Sequence, residues 1–244
     1  MAKTKVAPQN RQQEAPVPAS DKVLESPDAL RGQLDRTEDF FRKNRAIVLG
    51  VALVVGLAIA GIAFWRYAQR QNEVEAQQYM FPAVYYYEAD SLNKALNGDD
   101  INYGLLYIAD EYGSTDAGNL AKFYIGSIYL KQGQYQQAID ALQDFQSDDL
   151  LLPARADALI GDAYMELENY AQAISAYKEA ANYKPNDQFT PRYLMKLALA
   201  YEKNNQMGEA ATTYARIINE YPQAAEVTEA KKYKELAELS QASN

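Results

Sequence analysis

The sequence predicts an all-α protein, with one N-terminal transmembrane helix followed by an α-solenoid of about three to four helix-pair repeats and a C-terminal capping helix. Three observations support this fold class. Residues 46–65 form one uninterrupted apolar run. The region after it repeats a pattern of Gly, Tyr and Ala at intervals of about 35 residues. The last repeat is followed by one amphipathic segment, which a stack of repeats needs to cover its exposed end.

Two segments precede the apolar run. Residues 1–25 are rich in Gln, Pro, Ala and charge, so they bury too little apolar surface to offset chain entropy, and we expect a disordered cytoplasmic tail. Residues 26–45 start with Ser-Pro-Asp, which favours a helix start, and they place Leu30, Leu34 and Phe41 on one helical face. We expect a juxtamembrane amphipathic helix that lies along the lipid headgroups, with a docking helix for a partner as the alternative.

Residues 46–65 read AIVLGVALVVGLAIAGIAFW and contain no charged residue, Asn or Gln. Such a helix measures about 30 Å, which is the thickness of the hydrocarbon core of a bilayer. A cleaved signal peptide would have a shorter leader and a shorter apolar run, and a buried soluble helix would keep a polar face. We therefore predict a transmembrane helix. Its small residues Ala52, Gly56 and Ala60, spaced by four, are expected to contact another membrane helix.

The distribution of Lys and Arg predicts how the span is oriented. The twenty residues before it contain five, and the twenty after it contain two: Arg31, Arg36, Arg42, Lys43 and Arg45, then Arg66 and Arg70. Because segments rich in Lys and Arg stay in the cytoplasm, we expect a cytoplasmic N-terminus and a C-terminal domain on the other side of the membrane.

Charge and composition exclude several function classes. Residues 1–70 contain 11 basic and 7 acidic side chains, whereas residues 71–244 contain 13 and 26, a net charge of −13. Such an acidic domain repels phosphate backbones, so we expect no nucleic-acid partner. The chain has no Cys and no His, so it has no Cys nucleophile or thiolate ligand and lacks the commonest general base and transition-metal ligand. Carboxylate or Ser-Lys chemistry stays open, but no motif supports it. We expect no enzyme, no cofactor, no metal and no small-molecule substrate.

The region 72–244 contains three copies of one pattern. The middle copy is the most complete: Ile160-Gly161-x-x-Tyr164, then Asn169-Tyr170-x-x-Ala173, Tyr177, Ala180 and Pro185. Small residues let two antiparallel helices approach closely, and Pro stops the second helix. We expect Gly161 and Ala173 to face each other across this pair.

The spacing of the pattern sets the predicted boundaries. We place repeats near 79–112 (degenerate, built from helices over 72–97 and 100–112), 119–150, 154–185 and 191–222, and the capping helix at 223–240. We interpret the tyrosines of the pattern as packing residues. The pairs Asp99-Asp100 and Asp148-Asp149 stand at turns and are interpreted as helix caps.

This pattern resembles the tetratricopeptide repeat, which has a period of 34 residues and includes L-G-x-x-Y, Ala, an aromatic residue and a closing Pro. With its single span, the chain resembles the single-span ancillary subunit family of the bacterial SecYEG translocon, most clearly over Tyr112–Ala181. The resemblance implies a protein of the bacterial inner membrane with a periplasmic domain. The implied partners are the translocon, a membrane-anchored chaperone or nascent secreted chains. A repeat adaptor for envelope assembly or cell division, and a non-catalytic subunit of an envelope enzyme complex, are the alternatives.

The resemblance also implies where partners bind. In tetratricopeptide domains the first helices of the repeats line a concave groove that holds peptides or helices. Carried onto this chain, the groove positions include Leu120, Ala158, Leu199 and Glu202. The predicted partner contacts there are Phe123, Ser127, Leu130, Arg155, Asp162, Met165, Arg192, Met195 and the nearby Lys196. We expect these residues to face solvent, with Phe123, Met165 and Met195 supplying apolar contacts to a partner.

Overall fold

The computed structural model of the chain describes residues 42–242 and divides into two compact units, the first ending at Trp65 and the second beginning at Arg66. The described residues are helical and contain no β-strand, which confirms the all-α prediction. The predicted tail over 1–25, and residues 26–41 of the predicted juxtamembrane helix, lie outside the described residues.

The predicted span lies within one long helix, α1 (Arg45–Glu88). By length and composition this helix could cross a membrane, and side chains along its apolar run are highly exposed, for example Val54 at 65% and Phe64 at 74%. The expectation of a separate helix over 72–97 was wrong, because α1 continues through this region to Glu88. No Gly or Pro stands between residues 62 and 81 to end it, and Pro82 is accommodated inside it.

After α1 and two short helices described below, the second unit continues with three helix pairs and a final helix. They are α4 (Asp116–Lys131) with α5 (Tyr135–Gln143), α6 (Leu152–Glu166) with α7 (Tyr170–Asn182), α8 (Thr190–Lys203) with α9 (Met207–Glu220), and α10 (Val227–Ala242). Each helix from α4 onward packs against its neighbours in sequence, as in a solenoid. One residue in the turn of each pair has a left-handed backbone: Gly133 (φ 75°), Glu168 (φ 54°) and Asn205 (φ 58°).

The same turn joins α1 to the short helix α2 (Leu92–Asn97). Asp90 takes the left-handed conformation at φ 55°, and the N–H of Ser91 donates to the carbonyl oxygen of Tyr86 at 2.8 Å. In the first full repeat, the N–H of Gln134 makes the equivalent bond to Tyr129 at 2.8 Å. The C-terminal part of α1 and α2 therefore turn like a repeat, and in this register the buried Ala83 and Ala95 occupy the positions of Gly126 and Ala138.

The predicted helix over 100–112 is shorter than expected, since α3 extends only over Leu105–Glu111. The preceding loop is held by the Asp99 carboxylate, which accepts the N–H groups of Ile101 and Asn102 at 3.0 and 2.8 Å. It also accepts the Tyr86 hydroxyl at 2.5 Å. These hydrogen bonds, that from Tyr86 first, lower the pKa of Asp99 to about 2. Asp99 thus stabilises the loop as an acceptor of backbone N–H groups.

The small residues of the pattern lie at the contacts between paired helices. Ala138, Ala173 and Ala210 are fully buried. Gly161 is buried as well, and a Cβ atom there would lie 2.5 Å from Cε1 of Tyr177. An aromatic ring from the second helix of the pair thus occupies the space that glycine leaves open. The expected contact between Gly161 and Ala173 stays a prediction.

Candidate partner-binding surface

The first helices of the three repeats, α4, α6 and α8, line an open pocket of about 440 Å³, with one residue each from α5 and α7. We call it the α4–α8 pocket. Its lining consists of Leu130, Tyr135, Asp162, Met165, Glu166, Tyr177, Lys196 and Leu199. Leu199 is 44% exposed, so it offers apolar surface to a partner. The flexible, polarizable Met165 side chain can adapt to ligands of different shape.

A charged group forms the polar side of the pocket. The ammonium of Lys196 donates to both carboxylate oxygens of Asp162, at 2.6 and 2.7 Å. The hydroxyl of Tyr177 donates to Oδ1 of the same carboxylate at 2.6 Å. Burial, together with the negative charge of Asp162, raises the pKa of Tyr177, so the phenol stays protonated as a donor. The carboxylate is held by two donors in a fixed position.

A second tyrosine closes the rim of the pocket. The hydroxyl of Tyr135, the first residue of α5, donates to Oε2 of Glu166 at 3.2 Å. This bond raises the pKa of Tyr135. Glu166 is exposed and is the last residue of α6, so its second carboxylate oxygen can accept from a partner. The pocket therefore combines an apolar floor, an internally paired Asp–Lys group and one acidic side chain at its edge.

The fold of the middle repeat positions the Tyr177 hydroxyl. Gly161 precedes Asp162 on α6, and the Tyr177 ring lies against the bare backbone of that glycine. Tyr177 itself is only 2% exposed. A larger residue at position 161 would push the ring away and move its hydroxyl from the carboxylate. The packing of the repeat and the geometry of the pocket therefore depend on the same contact.

The structure brings four of the nine predicted groove residues together in this pocket: Leu130, Asp162, Met165 and Lys196. Two others are not accessible. Phe123 is 6% exposed and packs with Phe145, their ring centres 5.5 Å apart, and Ser127 is also buried. Contrary to our expectation, neither faces solvent, because α4 turns these positions toward α5 and α6. We leave both out of the binding surface.

The remaining three predicted residues lie outside the lining of the pocket. The Arg155 guanidinium stands 6.0 Å from the centre of the Phe123 ring. Arg192 pairs with Glu226 through a contact of 3.3 Å between Nε and Oε1. Met195 is half-buried and packs against the hydrophobic core formed by the last repeats. The two arginines thus contact their own domain.

Four pocket residues were not among the nine predicted contacts, although one of them, Leu199, stood at a predicted groove position. Leu199 occupies the position in the third repeat that Ser127 and Asp162 hold in the first two, so its spacing identifies it as a groove residue. Tyr135 and Tyr177 were interpreted as packing residues, and their rings do pack; only the structure shows that their hydroxyls reach the pocket. Glu166 carries no sequence signal of its own.

A separate cavity of about 290 Å³ lies between α5, α6 and α7. Two of its lining residues are acidic, Asp157 and Glu179. Burial, followed by the negative charge of Glu179, raises the pKa of Asp157 to about 6. Among residues 42–242, no group of three or more His, Cys, Asp or Glu residues is arranged to hold a metal ion.

Comparison with known families agrees with this architecture. A tetratricopeptide repeat family model matches the chain twice, over residues 123–189 and 159–225. Each match begins within the first helix of one pair and runs through the following pair, and together they include α5 to α9 entirely. Residues 123–225 are therefore tetratricopeptide repeats, and the second unit is a helical solenoid built on them. No curated protein matches the chain.

Proposed function

We propose that this protein is a membrane-anchored scaffold that binds polypeptide partners in the α4–α8 pocket, outside the cytoplasm. Tetratricopeptide repeats are protein-interaction modules, and proteins built from them are typically non-catalytic. The observation that carries the proposal is the pocket itself. It lies on the first helices of three successive repeats and presents apolar side chains beside a fixed charged group.

The chemistry of the pocket indicates the kind of segment that fits. Leu130, Met165 and Leu199 provide apolar contacts for one bulky apolar side chain of the partner. At the rim, Glu166 can accept a hydrogen bond from a basic side chain or from a backbone N–H group. Asp162 is already paired with Lys196, so its charge is satisfied inside the protein. We infer that the partner segment combines an apolar side chain with a nearby donor.

A pair of leucine substitutions tests the role of the pocket. Leu199→Glu places a charge on the apolar floor, and Leu236→Glu, on α10, is the matched control because the two leucines are 44% and 48% exposed. Full-length chains are purified from membranes in mild detergent, and co-purified proteins are identified. Leu199→Glu should lose the partners captured by the unchanged chain, whereas Leu236→Glu should keep them. If both variants capture the same partners as the unchanged chain, the pocket is not the interface.

We further propose that the anchor is the apolar part of α1 and that the partners belong to the secretion machinery. The first proposal is supported by the length, apolarity and exposure of that segment. The second is supported by the resemblance to the translocon ancillary subunits. Recovery of channel subunits, a membrane-anchored chaperone or secreted chains with the full-length protein, and their loss with Leu199→Glu, is the expected result. Recovery of envelope-assembly or division proteins alone would favour the adaptor alternative.

The membrane segment offers a second contact surface. Ala52, Gly56 and Ala60 are exposed, and a Cβ atom at Gly56 would have no neighbour within 4 Å. Small residues at this spacing allow a second membrane helix to approach closely. We propose this contact for a membrane-embedded partner. It stays a prediction that the detergent experiment can address through the variant Gly56→Leu.

A further inference from the structure

One face of α1 in the second unit carries an apolar stripe that the rest of the unit leaves open. Its residues alternate at intervals of four and three: Tyr67, Gln71, Val74, Gln78, Phe81 and Tyr85. All six are exposed, and the four apolar ones are 54–79% exposed. We call this set the α1 stripe. Alternation of four and three is the spacing at which two helices coil around each other.

The α1 stripe lies opposite the side by which α1 packs on its own domain. That side buries Ala76, Met80 and Ala83, which are 0%, 7% and 0% exposed. At about 100° per residue, the centre of the stripe stands roughly 170° from the centre of this buried set. The intradomain contacts therefore do not compete with a second helix on the stripe.

The four apolar residues of the α1 stripe together expose a large apolar area on one face of the helix. With roughly 150–250 Å² per aromatic side chain, the exposed fractions leave on the order of 500 Å² per chain. Two copies that face each other would then bury about 1,000 Å², which is the lower range for a specific interface. An apolar patch of about 500 Å² matches the largest patches on monomeric proteins, which are often interaction sites.

Charges beside the stripe match a second copy of the same helix. Arg70 precedes Gln71 on one flank, and Glu75 follows Val74 on the other. If the stripe residues are the a and d positions of a heptad, Arg70 is at position g and Glu75 is at position e. In a parallel coiled coil, a residue at g lies beside the e residue five positions later on the other helix. Arg70 of each copy would thus lie beside Glu75 of the other. The stripe itself contains no acidic residue, so no like charges meet within the seam.

We propose that α1 pairs in parallel with α1 of a second copy of this chain, with the α1 stripe as the seam. The parallel orientation rests on the membrane anchoring proposed above, since two copies inserted in the same direction present their helices side by side. Gln71 and Gln78 then meet their own counterparts, and polar residues inside such a seam set the register of the two helices. Confinement to one membrane raises the local concentration of the second copy.

Single cysteines test the seam, because the chain has no Cys of its own. Gln78→Cys places the thiol in the stripe, and Gln77→Cys is the matched control, since it changes the same residue type one position away, on the flank. Full-length chains in native membranes are oxidised with copper phenanthroline, and covalent dimers are quantified on non-reducing gels. Gln78→Cys should form at least five times more dimer than Gln77→Cys. Equal yields from the two, or no dimer from either, would overturn the proposal.

The flanking charges give a second, independent measurement. In the Gln78→Cys background, Arg70→Glu should lower the dimer yield about threefold, as expected for exposed ion pairs. Adding Glu75→Arg should restore the yield, because the pair is then reversed and not removed. If the dimer yield of the double variant stays as low as that of Arg70→Glu, the parallel register is contradicted. Circular dichroism of each variant verifies that the helices are intact, and Val74→Asp should abolish the dimer in the same background.

Failure of this proposal is distinguishable from failure of the proposed function. Leu199→Glu, which is expected to stop partner capture, should leave the cross-link at Gln78→Cys unchanged. Fractionation of the same cells shows separately whether the chain is in the membrane. If the chain is in the membrane and Gln78→Cys cross-links to a different protein instead of itself, that protein covers the stripe and self-pairing is wrong.

Discussion

Replacement of Gly161 by Ala tests the contact on which both the middle repeat and the pocket depend. The added methyl group would lie 2.5 Å from Cε1 and 2.6 Å from Cδ1 of Tyr177. The ring must move, and its hydroxyl then leaves the carboxylate of Asp162, which it contacts at 2.6 Å. Because Tyr177 is 2% exposed, it has little free space into which to shift.

The expected cost follows from three terms. Overpacking costs about 1–3 kcal/mol, and a lost hydrogen bond to a charged group costs about 1.5–3 kcal/mol. Alanine returns up to about 1 kcal/mol, because it favours a helix more than glycine does. The net loss in the free energy of unfolding is therefore about 3 kcal/mol, which for a unit of this size lowers Tm by about 6–12 °C. In a stack of repeats the neighbours should be weakened as well.

Thermal unfolding of the full-length chain in mild detergent, followed by circular dichroism at about 222 nm, measures this loss of α-helix. Gly208→Ala is the matched control, because its new methyl group would stand 3.2 Å from the amide nitrogen of Gln241, the tip of an exposed side chain. That variant should be neutral or slightly more stable. Tyr177→Phe should show the hydrogen-bond part alone. An unchanged Tm for Gly161→Ala, or an equal loss for Gly208→Ala, would refute the packing described above.

Two further predictions concern stability at different pH and topology. Because the pKa of Asp157 is raised to about 6, the native state holds a proton at pH 5 that the unfolded chain releases, so this group costs stability above pH 6 and the cost disappears as pH falls toward 4. Asp157→Asn should raise stability at pH 7.5 by about 1 kcal/mol, after allowance for the partial exposure of the group, and by about half as much at pH 5, where the unfolded Asp157 is still largely ionised; an equal gain at both pH values in thermal unfolding contradicts this. Protease added to intact spheroplasts should digest the chain beyond about residue 70, as the positive-inside rule predicts for this distribution of Lys and Arg. If the chain is digested only after the spheroplasts are lysed, the proposed orientation is wrong.

The candidate site could be predicted in part. The spacing of Asp162 and Lys196 placed both on first helices, and the structure brings them together at 2.6 Å. The same spacing failed for Phe123, because the direction of a side chain depends on how its helix is rotated against its neighbours. Burial of Phe123 against Phe145 is decided by the crossing of three helices. No pattern within one helix contains that information.

The sequence by itself determined the helical class, the apolar segment and the 35-residue repeat, because each depends on periodicity along the chain that local backbone geometry converts into helices. Tertiary structure decided which side chains meet. It placed the Tyr177 ring against Gly161 and left the α1 stripe exposed opposite Met80. Close packing between helices selects one rotation for each of them. Contacts, pockets and open faces follow from that rotation and not from the spacing of residues alone.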